Sequence, residues 1–408
     1  MVLCVAAGTR PQQAWRPPQQ NLARRALRAG RPGPKSSARP RLAVRLGDVM
    51  SAPSPLLFQP LAVGDLDLPN RVVMAPLTRL RATLPGHAPN ALMAQYYAQR
   101  ASAGLILTEA TPVTPWGVGY EGVPGAWTAE QTQGWKQVTR AVHEAGGRIM
   151  LQLWHVGRIS DPYFLDGGLP VAPSAIAPKG HVSLLRPQRP YVTPRALERH
   201  EIPAVVEDFR RAAQNAVEAG FDGVELHGGN GYLLDQFLQD SSNRRTDDYG
   251  GGIENRARLL LEAADAAISV WGPGRVGVHL APRGDVHDLG DSDPAATFGY
   301  VAKALGERKI AFLCVREARG PDSLGPRLKA AFGGVYIANE GFTQDSAEQA
   351  LADGWADAVA FGKAFIANPD LPERFRAGAP LNAPVAEGFY SHGAEGYVDY
   401  PALAPAEA

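Results

Sequence analysis

Short runs of apolar residues recur along the chain, and each is continuous where a half-exposed strand would alternate. They are Arg71–Leu77 (RVVMAPL), Gly104–Ala110 (GLILTEA), Arg148–Trp154 (RIMLQLW), Gly223–Gly228 (GVELHG), Val276–Pro282 (VGVHLAP), Ile310–Arg316 (IAFLCVR), Gly334–Asn339 (GVYIAN) and Ala358–Phe365 (AVAFGKAF). Unbroken apolar runs of this length fit strands buried on both faces, as in a parallel sheet. Helix-like stretches lie between most of them: Asn90–Ala101, Ala129–Ala145, Glu201–Ala219, Ile253–Trp271, Pro294–Leu305 and Thr343–Ala352. Gly146, Gly220 and Gly354 stand where such helices stop and the next strand begins. Eight strands with interleaved helices predict an α/β fold, a single (β/α)8 TIM barrel. The structural alternative, an open doubly wound sheet, wants a glycine fingerprint after its first strand, and RVVMAPLTR contains no glycine. The longest gap runs from Trp154 to Gly223; its Pro-, Gly- and Arg-rich part, Ser160–Arg199, reads as an excursion over the barrel mouth.

Composition narrows the picture. The 408 residues are 45% apolar and 20% charged, with 41 Lys+Arg against 41 Asp+Glu. Glycine (44) and proline (35) exceed ordinary usage, so the fold is rich in loops. Two cysteines, Cys4 and Cys314, exclude a disulfide framework and a Cys-based zinc or iron–sulfur site. No run approaches the ~18 apolar residues of a membrane helix, so no membrane partner is expected. The zero total charge hides an asymmetry. The first 55 residues hold ten basic side chains and one acid, Asp48, which leaves 31 basic and 40 acidic residues in the body, a net of −9. Residues 1–54 have too little apolar content for a core and are expected to be a disordered basic extension ahead of one domain at 55–408. An Arg-rich, acid-poor leader fits an organelle transit peptide, with chloroplast ahead of mitochondrion and a cytoplasmic protein otherwise; a nucleic-acid-binding tail and a misassigned start codon are the rival readings. The body shows no basic, aromatic-interleaved surface, so no nucleic-acid partner is expected.

In a barrel, chemistry gathers where the strands end. The polar residues at those ends are Thr78, Glu109, Gln152, His227, His279, Arg316, Asn339 and Lys363. Each alone is unremarkable; a lone His after an apolar strand is more often structural, and convergence on one face is what points to a site. The densest segment is Glu225–Gln236, ELHGGNGYLLDQ. His227 ends a strand, Asn230 follows three residues on and Tyr232 five, with Gly228, Gly229 and Gly231 permitting a sharp turn and close approach of a ligand. Imidazole and amide N–H groups are donors suited to a carbonyl oxygen. A phenol, with an ordinary pKa of about 10, keeps its proton at neutral pH and can donate it once. The set can polarise an acceptor and protonate it, and it contains no nucleophile for acyl transfer. The bland reading of the same segment is a glycine-rich turn with structural polar residues. Asn339, Glu340, Gly341 and Phe342 after one strand, with Gly362 and Lys363 after the next, form a cradle of the kind barrels use for phosphate, of a cofactor or of a substrate.

Longer segments resemble the old yellow enzyme family, the flavin-dependent ene-reductases, across about residues 55–403. The matching stretches are NRVVMAPLTRLRA at 70–82, YYAQRASAGLILTEAT at 96–111, LQLWHVGRIS at 151–160, ELHGGNGYLLDQFL at 225–238, SSNRRTDDYGGGIENRAR at 241–258, DAVAFGKAFIANPDL at 357–371 and FYSHGAEGYVDYP at 389–401. The style is closest to the N-ethylmaleimide reductase and oxophytodienoate reductase branches. The resemblance implies tightly bound, non-covalent FMN, with NADPH or NADH as electron donor and an enone-type small molecule as substrate. It further implies that Ala75, Pro76, Leu77 and Thr78 meet the flavin, that Ala110 and Gln152 line its ring, and that His227 and Asn230 grip the substrate carbonyl. Tyr232 would be the proton donor. Asn339, Gly341, Phe342, Gly362 and Lys363 would hold the phosphate end. Tyr120, Trp154 and Tyr390 match aromatic residues of the substrate pocket, and Asn243, Arg245, Asp248 and Glu254 read as loop bracing. A monomer or weak homodimer is expected.

One position departs from the family pattern. Where relatives usually carry Arg near the flavin, the fifth strand reads VGVHLAP and His279 stands there. A histidine has an ordinary pKa of about 6.5, so a lower and more pH-sensitive flavin potential is expected. Lys363 in place of a customary Arg is a milder departure, and the Glu340 carboxylate is expected to point away from the phosphate. Nitro compounds or quinones as preferred acceptors remain an alternative, as does a flavin-bound redox sensor with little turnover; the presence together of His227, Asn230 and Tyr232 argues against the sensor.

Overall fold

A computed structural model describes residues 55–404 apart from Asp285; the expected leader, residues 1–54, lies outside the described residues. Eight parallel strands carry the fold: β1 (Val72–Met74), β2 (Leu105–Leu107), β3 (Ile149–Trp154), β4 (Val224–Gly228), β5 (Val276–Leu280), β6 (Phe312–Arg316), β7 (Val335–Asn339) and β8 (Ala358–Phe361). They pair in the order β2-β1-β8-β7-β6-β5-β4-β3, and β2 also pairs with β3, through Ile106 with Ile149 and Leu107 with Met150, so the sheet closes on itself. Every residue of β1 to β5 is buried, which is why these runs are apolar without alternation. A hairpin of Leu61–Val63 and Leu66–Leu68 precedes β1, and its Val63, Leu66 and Leu68 pack with the barrel residues Val73, Leu105, Met150 and Phe312.

Among the described residues, eight helices of seven or more residues follow the strands: α1 (Ala91–Ala98), α2 (Ala129–Glu144), α3 (Ile202–Glu218), α4 (Ile253–Trp271), α5 (Pro294–Glu307), α6 (Gly325–Phe332), α7 (Gln344–Ala352) and α8 (Leu371–Ala377). Local chemistry sets their ends. The Asn90 side chain accepts from the Met93 N–H, and Thr128 and Gln131 cap α2 reciprocally. Gly146, Gly220 and Gly354 take the left-handed φ of 79°, 81° and 74° expected of helix stops.

The structure corrects some boundaries. β1 is shorter than the run RVVMAPL because Pro76 has no N–H for the ladder and Ala75–Thr78 turn into the mouth instead. The run Ala358–Phe365 divides: the strand ends at Phe361, and Lys363–Ala367 is a short helix. A continuous apolar run reads alike for a buried strand and a buried helix. Helix α6 is not among the stretches expected from the sequence; it opens on Gly325 and Pro326, and its buried Leu328 and Phe332 give it a core face.

The Ser160–Arg199 excursion does lie over the mouth. Val171–Ala172 and Arg195–Ala196 pair as two short parallel strands. Arg245 donates to the Pro173 carbonyl at 3.1 Å and the Leu197 carbonyl at 2.5 Å, and Asn243 donates to the Phe237 and Tyr249 carbonyls. These two residues thus brace the loops as expected. Val182, Leu185 and Tyr191 of the excursion join one apolar cluster with Tyr120, Trp154 and Tyr232.

Candidate active site

The turn after β4 is built from close contacts. A Cβ on Gly229 would lie 2.8 Å from the Ala281 nitrogen, and one on Gly231, at φ +79°, 2.7 Å from the His287 Cβ. Asn230 between them adopts φ +56°, a conformation asparagine tolerates better than most residues. The buried Asp235 accepts from the Gly231 N–H at 2.8 Å, and the Gln236 amide donates to the Gly231 carbonyl at 2.8 Å. Burial pushes the Asp235 carboxyl up to about 7. The turn therefore fixes where His227, Asn230 and Tyr232 point.

His227 is 3% exposed. Burial first, then the neighbouring His279 and Arg316, holds its imidazole well below the usual histidine range, so it is neutral at pH 7. The Gly229 N–H donates to its Nδ1 at 3.4 Å, which puts the ring proton on Nε2 and makes that atom a donor. Asn230 offers a second donor. Its Oδ1 accepts from Arg316 Nη1 at 2.8 Å, and the His287 Nδ1 lies 2.7 Å from its backbone oxygen. Arg316 is itself gripped by Glu340, with Nε at 2.9 Å and Nη2 at 3.0 Å from the carboxylate oxygens. Glu340 holds φ +98°, a region that favours glycine and costs about 1–3 kcal/mol.

Tyr232 sits among aromatic rings. Its hydroxyl lies 3.2 Å from that of Tyr120, its ring meets Trp154 edge to face at 4.8 Å, and Tyr120 stacks on Trp154 at 5.6 Å. Tyr390, half-buried, packs on the same cluster. Tyr120, Trp154 and Tyr390 are thus brought together with the β4 turn.

Below them lies a polar floor inside the barrel. Gln152 donates through Nε2 to Glu225 at 2.7 Å, and the other Glu225 oxygen is 3.7 Å from His279 Nδ1. Gln152 Oε1 and both His279 nitrogens are buried with no hydrogen-bond partner among the described residues. Ala75, Pro76, Leu77, Thr78 and Ala110 are buried at the adjoining ends of β1 and β2. Glu109, also a strand-end residue, is structural: its carboxylate accepts the Arg79 and Leu80 N–H groups at 3.0 and 3.2 Å.

Asn339 ends β7, buried, and pairs in register with Arg316 and Ala360. Gly341 has φ +73° with open space where a Cβ would stand, and Gly362 caps the short helix that begins at Lys363. Lys363 is exposed, and Phe342 stacks obliquely on Trp355 at 6.0 Å. Two contributors escaped the sequence. His287, whose ring lies 5.1 Å from Tyr232 and whose imidazole burial pushes down to about 4, sits in a loop with no motif. Glu225 stands two residues before His227 on β4, hence on the same face, and that spacing is the signal for it in the sequence.

Residues 56–382 match the NADH:flavin oxidoreductase / NADH oxidase family. The chain is 43% identical over 358 residues to a putative 12-oxophytodienoate reductase 2 of Oryza sativa subsp. japonica, covering 85% of this chain and 94% of that one. It is 45% identical over 358 residues to a probable flavin mononucleotide-dependent alkene reductase of Leishmania infantum, covering 85% and 97%. Among solved structures, an old yellow enzyme homologue from Zymomonas mobilis superposes with a TM-score of 0.83 at 44% identity, covering 86% of this chain and all of that one. Morphinone reductase in complex with tetrahydroNAD superposes with a TM-score of 0.82 at 51% identity, covering 86% and 98%. With the closed barrel and the β4 turn in place, the chain belongs to the NADH:flavin oxidoreductase / NADH oxidase family, that of old yellow enzyme.

Proposed function

We propose that the chain is an FMN-dependent NAD(P)H oxidoreductase that reduces the activated C=C bond of α,β-unsaturated carbonyl compounds. The observation that carries this reading is the β4 turn: two neutral donors, His227 and Asn230, and one phenol, Tyr232, share a single aromatic-walled mouth. The floor fits a flavin. Its unpartnered Gln152 Oε1 and His279 nitrogens suit the mixed donors and acceptors of a pyrimidine edge, and Gly341 leaves room for a close phosphate. Ala75, Pro76, Leu77, Thr78 and Ala110 would flank the ring, and Asn339, Phe342, Gly362 and Lys363 would complete the phosphate end. Bound FMN would supply the redox chemistry, hydride exchange between NAD(P)H and the substrate.

The protein's part follows from its own groups. His227 Nε2 and Asn230 Nδ2 donate to the substrate carbonyl oxygen and draw electron density from the β-carbon. As negative charge develops on that oxygen, the same donors hold it, and each such donor contributes on the order of 10²–10³ in rate. Tyr232 O–H then protonates the α-carbon. Tyr120, Trp154 and Tyr390 sandwich the flat substrate and exclude water. The test is optical. The purified yellow protein should bleach with NADPH without air and recolour with cyclohexenone. Bleaching without recolouring would favour a sensor, and a colourless protein that no flavin restores would defeat both readings.

We also propose that residues 1–54 are a transit peptide, directed to the plastid, ahead of a catalytic domain at 55–408; their ten arginine and lysine residues against one acid support it. A fluorescent fusion of residues 1–54 that stays in the cytoplasm would rule it out. We propose further that the enzyme is a monomer or weak homodimer, which sedimentation at micromolar concentration tests.

A further inference from the structure

We propose that Arg316 is a positioning residue for carbonyl recognition: it fixes which face of the Asn230 amide meets the substrate. The inference rests on the reading of His227 and Asn230 as the carbonyl grip. A primary amide has two ends of similar shape and opposite sense, and a half-turn about its last bond exchanges donor for acceptor. An Asn230 so turned would face a substrate carbonyl oxygen with its own oxygen and repel it. Arginine carries five donors and no acceptor. At 2.8 Å from Arg316 Nη1, the Asn230 side chain must present Oδ1 there, which sends Nδ2 to the opposite side as a donor.

Arg316 is held for this task. It ends β6 with its side chain largely buried, in register with Asn339 on β7, and Glu340, the next residue, clasps it through both carboxylate oxygens. That two-pronged grip leaves Nη1 free to aim at Asn230, and Glu340 keeps it at φ +98°, where a glycine would sit without strain. A lysine in place of Arg316 offers a donor on a flexible stem without the planar fork. The far side of Asn230 is fixed independently, since His287 lies 2.7 Å from its backbone oxygen and Gly231 follows it in a left-handed turn. The backbone is therefore set by the turn, and the remaining freedom, the amide's orientation, is set by Arg316.

The experiment is a double-mutant cycle on the FMN-loaded full chain. Affinity for p-hydroxybenzaldehyde, a flat aromatic carbonyl compound, is read from the absorbance change of the bound flavin. Arg316→Met should weaken binding roughly 10-fold or more, the loss of about one charge-assisted hydrogen bond. In an Asn230→Ala background the same substitution should change affinity less than about 2-fold. Arg316→Lys should recover part of the loss, and Glu340→Gln, which keeps Arg316 but weakens its grip, should fall between wild type and Arg316→Met. Where Arg316→Met does not retain FMN, Arg316→Lys and Glu340→Gln decide. Wild-type affinity in both, or in Arg316→Met, overturns the proposal, as does an equal loss with and without the Asn230 amide. Those outcomes leave the carbonyl grip standing. An Asn230→Ala enzyme that binds the aldehyde as wild type does overturns the grip and the proposal together.

Discussion

Tyr120 and Tyr232 meet hydroxyl to hydroxyl at 3.2 Å, both buried, with Trp154 stacked on one ring and edge-on to the other. Either hydroxyl can donate across this contact. A Tyr120 hydroxyl that donates to Tyr232 would stabilise the charge left on the phenol once it gives up its proton.

Tyr232→Phe should therefore slow reoxidation of the reduced enzyme by cyclohexenone by about 10²-fold or more, the usual scale for losing a positioned acid, while leaving reduction by NADPH within a few-fold. Tyr120→Phe should slow reoxidation by a smaller factor. Stopped-flow absorbance separates the two half-reactions, and equal losses in both would remove Tyr232 from its role.

His279→Arg should raise the reduction potential of bound FMN. A hydrogen bond from a charged group contributes about 1.5–3 kcal/mol, which for a two-electron couple is roughly 30–60 mV. Glu225, 3.7 Å from the His279 ring nitrogen, would take up part of the new charge, so the lower end is expected. Spectroelectrochemical titration measures the shift, and no positive shift would count against His279 standing beside the flavin.

Stability should fall as the solution is made acid. Burial holds His155 down to about 3 and His287 to about 4, and lowers His227 well below the ordinary value. Unfolded histidines take up protons near pH 6.5, so their stabilising effect is complete above that pH and is lost as pH falls toward the folded values. By pH 5 His155 and His287 each contribute a loss on the order of 2 kcal/mol at 1.36 kcal/mol per pH unit, and His227 acts in the same direction. Asp235, raised to about 7, works the other way: its contribution is present at low pH and lost as pH rises to 7. Urea midpoints at pH 5 and pH 7.5 should show lower stability at pH 5, and Asp235→Asn should steepen the dependence.

Gly157→Ala should destabilise the fold by about 1–3 kcal/mol and weaken aldehyde binding with it. Gly157 has φ +59°, and an added Cβ would lie within van der Waals overlap of Gln236 Oε1. Gln236 also braces the Gly231 carbonyl of the active-site turn. Thermal melts and ligand titration on one sample test the coupling; a destabilised enzyme with unchanged affinity would separate the two.

The barrel was legible because strands buried on both faces leave apolar runs without alternation, and eight of them recur with helix-like stretches between most; β3, β4 and β7 end where the pattern ends. Helix α6 hid behind Gly325 and Pro326, which signal a turn and here open a helix. The site divides in the same way. His227, Asn230 and Tyr232 are local, bound into one twelve-residue segment, and could be read together. The Arg316 contact with Asn230 joins residues 86 positions apart, and no spacing rule reaches across that distance. His287 is hidden for the same reason, since its loop meets the turn only after folding.

The excursion from Ser160 to Arg199 supplies part of the aromatic cage while the barrel supplies the rest, and it is fastened to the scaffold by Arg245 from outside the segment. The vestibule is in effect a detachable fitting. Its shape can be retailored by exchanging that one insert, with the reaction's electrical and acid–base parts left on the staves, which gives such an enzyme a short route to new guests.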